Sequence, residues 1–183
     1  NERDWRASAR AKAALLKDSR ERIAGWVRGY GLQCEFVECG EDYVFHDPRA
    51  LEHEIGDLPL LRELGIAAEI LDGPAYEAQE PAVKPGVAGA IRFAGDAALR
   101  PDRYVDELAR LVRERGGEIV EHCALRSLSA DAGGVHATTT HGELRAGDAV
   151  IAAGSWSPLL AREIGLPWLR KAIQPGKGYS ITW

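Results

Sequence analysis

The sequence predicts an α/β chain of the mixed, α+β kind, and three observations carry that prediction. Residues 3–30 repeat apolar side chains at helical spacing, with Leu16, Ile23, Val27 and Tyr30 on one stripe and charge opposite. Residues 101–115 do so again behind a proline, with Tyr104, Leu108, Leu111 and Val112 as the stripe. Strand-length runs separate and follow these helices, and the clearest is Asp148-Ala149-Val150-Ile151-Ala152-Ala153-Gly154.

Taken in order, Gly29 and Gly31 end the first helix. Residues 33–45 read as two short strands turned at Gly40-Glu41-Asp42, with Phe36, Tyr43 and Phe45 as packing residues. His46-Asp47-Pro48 breaks the chain and starts a helix over 49–64, closed by Gly65. A strand at 66–72, a short proline-stopped helix and a loop through Pro85-Gly86 lead to a strand at 87–93. Arg100 precedes the helix of 101–115 and offers no capping oxygen; its positive charge also faces the helix's positive end. Residues 118–121 and 124–128 read as strands, and 135–140 with 143–144 as a hairpin turned at His141-Gly142.

The apolar run at 148–154 has the pattern of a strand buried on both faces. Gly154 lets the backbone turn and another group come close. Ser157-Pro158 then offers an N-cap hydroxyl and a first-turn proline. A strand end, a glycine turn and a helix start make a ligand position in open α/β sheets. The same junction also occurs where nothing binds.

Composition bounds the partners. The net charge of -5, without a basic cluster, argues against nucleic acid. No apolar run approaches a membrane span. Cys34, Cys39 and Cys123 read as reduced thiols, and His46 and His53 lack partners at metal-ligand spacing, so no metal is expected. His136 and His141 fall on the hairpin and are assigned no site. The sequence has no methionine and begins inside a helix, which is read as the mark of a fragment.

The stretch 148–160, Asp-Ala-Val-Ile-Ala-Ala-Gly-Ser-Trp-Ser-Pro-Leu-Leu, followed by Ile173-Gln174-Pro175-Gly176-Lys177-Gly178-Tyr179-Ser180-Ile181-Thr182, resembles the FAD-dependent D-amino-acid oxidase superfamily. Within it, the bacterial D-amino-acid dehydrogenase small-subunit group is most similar. The stretches around Leu71-Asp72 and Glu80-Pro81-Ala82 resemble the same group. The resemblance implies a largely antiparallel substrate-domain sheet with helices on one face, plus a partial FAD-domain layer. It divides the chain into 1–117 (substrate-domain-like), 118–165 (FAD-domain return segment) and 166–183 (strand returning to the substrate domain).

The implied activity is oxidation of the C–N bond of a D-amino acid or related amine, with hydride passing to FAD. The implied cofactor contacts are Leu125, through its backbone, and Ala153, Gly154, Ser155 and Trp156; Lys177, Tyr179 and Arg92 are the substrate-side candidates. Lys177 also reads as a solvated charge, and Tyr179 as a core aromatic. No catalytic residue is named. No G-x-G-x-x-G is present, so the pyrophosphate cradle lies elsewhere and the isolated chain is expected to retain little FAD. Dioxygen or a quinone would take the electrons. The expected location is cytoplasmic, or peripheral on the inner membrane face, and self-association of the piece is a further expectation. The alternatives are a non-catalytic α/β binding or structural module, and an FAD-dependent dehydrogenase of 2-hydroxy acids or glycerol phosphate.

Overall fold

A computed structural model of the chain describes residues 2–161, 164–174 and 176–178. It forms two compact units, Asn1–Glu118 and Ile119–Trp183.

In the first unit, α1 (Glu2–Tyr30) is the long amphipathic helix, and its Ala24 is fully buried. Ion pairs tie α1 to later segments of the unit, among them Arg6 to Glu63 at 3.2 Å, and Arg20 and Arg28 to Glu38 at 3.1 and 3.3 Å. The next strand, β1 (Glu41–Phe45), leads into α2 (Pro48–Glu63). Asp47 caps that helix, its Oδ1 accepting from the Arg49 amide at 2.9 Å, with Pro48 in the first turn. Pro59 sits inside α2, where it cannot donate the usual backbone hydrogen bond.

After α2 come β2 (Glu69–Asp72), α3 (Gly73–Gln79) and β3 (Gly89–Phe93). The three strands form an antiparallel sheet in the order β1-β3-β2, so the last strand in sequence is the central one. That position explains its burial: Ala90 and Ile91 are almost wholly enclosed. A cluster of Leu71, Tyr76, Val87 and Ala90, with Val83 against it, packs α3 onto this sheet. The unit closes with α4 (Pro101–Glu114), whose N-cap Arg100 makes no capping bond. Arg100 instead turns its guanidinium onto Asp102, at 3.1 and 2.8 Å.

The paired strands expected over 33–45 are not both there. Only β1 forms, and the preceding arm makes a single antiparallel bridge, Val37 to Ala98. Gly40, at φ +76, turns the chain into β1, and its amide donates to Asp96 O at 3.0 Å. The ladder partner of β1 is β3, some fifty residues on. Local alternation cannot name so distant a partner.

The second unit is built on an antiparallel meander, β4 (Leu125–Asp131), β5 (Gly134–Thr139) and β6 (Gly142–Ala146), with the expected turn before Gly142. Two expected strands do not form. Residues 118–121 and 148–153 carry no ladder, and Val150 is 90% exposed rather than buried on both faces. A strand needs a neighbour to satisfy its backbone, and the described residues supply none beside 148–153. A 3-10 turn (Gly154–Trp156) then runs into the one-turn α5 (Ser157–Leu160), and α6 (Leu169–Ala172) comes after it.

Candidate cofactor-contact corner and the Arg92 network

The corner at Gly154 has an open backbone. Gly154 adopts φ +52, and a side chain built there would meet nothing within 4 Å. The Trp156 amide donates to Ala153 O at 3.0 Å, closing the turn. Trp156 is 69% exposed, Ser155 and Ala152 are exposed, and Ala153 is half-buried.

Ser157 is not the N-cap either. It lies within α5 at helical angles, is buried, and its amide donates to Gly154 O. The 3-10 turn begins the helical path three residues early, so the hydroxyl is carried past the capping position. A single-turn helix also aligns few peptide dipoles, so α5 adds little field for an anion.

Leu125 opens β4, an edge strand of its sheet, opposite Thr139 and next to a register shift between Leu125 and Ser127. The residue before it is anchored on both sides: the Ala124 amide donates to Thr140 Oγ1, and the Thr140 amide donates to Ala124 O, each at 2.9 Å. Leu125 thus has fixed backbone beside a sheet edge, the setting in which main chain can meet a ligand. Lys177 lies in the irregular stretch 176–178, and Tyr179 falls outside the described residues. His136 sits on β5 with Nε2 3.4 Å from Asp131.

Arg92, the third substrate-side candidate, is held by neighbouring side chains. From β3 its Nε and Nη2 donate to Asp42 Oδ1 and Oδ2, each at 2.8 Å, and its Nη1 donates to Gln79 Oε1 at 2.9 Å. Arg92 first, and the Tyr76 phenol to a lesser degree, hold the Asp42 carboxyl below its usual range. Burial, and then the Asp42 charge, push the Tyr76 phenol upward. These bonds use three of the five guanidinium N–H groups, and one on each of Nη1 and Nη2 remains for a further acceptor.

Sequence reasoning missed this network and the Glu77 clamp. Glu77 Oε1 accepts from the Gly86 and Val87 amides at 2.7 and 2.9 Å and pins the loop that feeds β3. The opposite charges of Asp42 and Arg92 were visible, but their pairing depends on a register fifty residues apart.

The fold is that of FAD-dependent oxidases. Glycine oxidase from Geobacillus kaustophilus matches with a TM-score of 0.69 at 22% identity, covering 82% of this chain and 40% of that one. The L-alpha-glycerophosphate oxidase of Mycoplasma pneumoniae matches at 0.65 and 19%, over 86% and 42%. The chain belongs to the FAD dependent oxidoreductase family, whose model matches residues 3–183.

Among curated relatives, a D-amino acid dehydrogenase of Granulibacter bethesdensis is 30% identical over 96% of this chain and 43% of its own length. One from Xylella fastidiosa is 32% identical over 92% and 39%. The chain therefore spans about two fifths of the relatives it matches.

The residues present fit one side of an FAD and not its phosphates. The uncrowded Gly154 turn admits the close approach of a flat ring. The sequence holds no glycine-rich pyrophosphate loop.

Proposed function

We propose that this chain is part of an FAD-dependent dehydrogenase that oxidises the C–N bond of a D-amino acid. The observation that carries this reading is identity of 30–32% to proteins named D-amino acid dehydrogenase across nearly the whole chain. In that reading, residues 1–117 belong to the substrate domain, 118–165 to an FAD-domain return segment and 166–183 to a strand returning to the substrate domain. Leu125, Ala153, Gly154, Ser155 and Trp156 are the flavin-side residues, and Lys177, Tyr179 and Arg92 the substrate-side candidates.

When bound, FAD accepts the hydride. This chain's own part is to orient the donor, because cofactor enzymes leave the difficult step to the cofactor. Arg92 also holds β1 to β3 through Asp42, with N–H groups left for a substrate carboxylate. Dioxygen or a quinone is the electron acceptor, and transfer to a quinone would bring the protein to the inner face of a membrane. No helix among the described residues is long and apolar enough to cross one.

The test is anaerobic mixing of the FAD-loaded product of the complete gene with candidate substrates, with the flavin's visible absorbance as the readout. Rapid bleaching by D-amino acids is expected. Bleaching by 2-hydroxy acids or glycerol phosphate, but not by D-amino acids, would overturn the reading.

A further inference from the structure

The row of side chains that crosses the first sheet at Arg92 is unbalanced in charge. Arg92 stands opposite Asp42 on β1 and opposite Glu69 on β2. Residues opposed across a ladder project from the same face, so one cation lies between two carboxylates. Asp42 takes Arg92 Nε and Nη2, which matches its charge with the guanidinium. Glu69 is exposed, and its charge also acts on Arg92. Glu80, at the C-terminal end of α3, adds a third carboxylate whose charge reaches the Tyr76 phenol.

Two things are left over on this face. Arg92 keeps one N–H on each of Nη1 and Nη2, with 27% of its side chain exposed. Those N–H groups suit a carboxylate. Glu69 keeps a charge that the Arg92–Asp42 pair does not neutralise, and that charge suits a cation. Opposed Cα atoms of neighbouring antiparallel strands lie about 4.5–5.5 Å apart, a gap that a short alkyl chain between a carboxylate and an ammonium spans.

We propose that the substrate of this site is a D-amino acid with a cationic side chain, its carboxylate on the free N–H groups of Arg92 and its side-chain cation against Glu69. The inference rests on the reading of Arg92 as a substrate-side residue. An uncharged side chain leaves Glu69 without a counter-ion and gains nothing from it.

Steady-state kinetics of the FAD-loaded product of the complete gene, with D-ornithine and D-norleucine as substrates, tests this. The two differ by an ammonium in place of a methyl. A kcat/KM about fivefold higher for D-ornithine is expected, the upper worth of an exposed charge pair. Glu69 lies exposed on an edge strand, and Glu69→Gln should bring the ratio to near one, while Glu69→Lys should reverse it. Calorimetric titration with 5-aminopentanoate and hexanoate, the same pair without the α-amine, should show the same preference and the same loss without turnover. Arg92→Lys, which keeps a cation for Asp42 but not the second N–H edge, should weaken both carboxylates. Equal use of the two substrates, a ratio untouched by Glu69→Gln, or carboxylate binding untouched by Arg92→Lys would each overturn the inference and leave the dehydrogenase reading standing. So would oxidation of D-alanine but of neither longer substrate. Failure with all three would sink both.

Discussion

Arg92 and Asp42 face one another across the β1–β3 ladder and meet through two parallel hydrogen bonds of 2.8 Å. Both side chains are largely shielded, at 27% and 20% exposure, so this pair is not the screened surface kind. It joins the central strand to its edge strand, and Gln79 brings α3 into the same knot.

Arg92→Met should therefore destabilise the chain by about 1–3 kcal/mol, because it strips a shielded carboxylate of its cation. Urea denaturation monitored by far-UV circular dichroism measures this. The double variant Asp42→Asn/Arg92→Met should lose less than the sum of the two single losses, since both remove the same contact.

The same pair sets an acid limb. Arg92 first, and Tyr76 with it, lower the folded-state pKa of Asp42 below its unfolded value. The stabilisation is then complete above the unfolded value near about 3.9 and is lost as the pH falls through the lower folded value. Melting curves of Asp42→Asn should be flatter across that window than those of the parent chain.

Glu77 holds two amides of the loop entering β3 with one oxygen. Glu77→Ala leaves both donors without that acceptor and should cost about 1–3 kcal/mol. Glu77→Gln keeps a side-chain oxygen and should cost less. Limited proteolysis around Pro85-Gly86 should accelerate in the alanine variant before global unfolding does.

Arg100 stands at the N-cap of α4 with no capping bond. Arg100→Asp would supply an acceptor and a favourable charge at the helix start, a gain of about 1 kcal/mol. The lost Arg100–Asp102 pair is exposed and worth little. A rise of about 2–4 °C in Tm is expected. No rise, in spite of an unchanged fold, would mean that the new carboxylate is repelled by Asp102.

The chain alone should not retain FAD. Gel filtration after incubation with excess FAD is expected to leave the protein without a flavin spectrum, because no pyrophosphate loop is present. Stoichiometric retention would show that the 125 and 153–156 backbone holds the cofactor unaided.

Period and punctuation made the helices and the meander readable. The stripes of α1 and α4, the Asp47-Pro48 start of α2 and the Gly142 turn are local signals, each complete within a few residues. The Ala153-Gly154 corner was legible in the same way, and the structure leaves its backbone open. The strand leading into it was not. Residues 148–153 have strand composition, but composition does not provide the neighbouring strand that would bury Val150.

The sequence by itself thus determined where α2 and α4 begin and end, and where glycine permits a turn, because these depend on torsions and on contacts three or four residues apart. Only the tertiary structure decided that β3 is the central strand, that Arg92 belongs to Asp42, and that Ser157 lies inside a helical turn. Those outcomes rest on pairings between distant segments, or on a turn type that several residues choose together. Closing a long loop is repaid only once the whole sheet has formed.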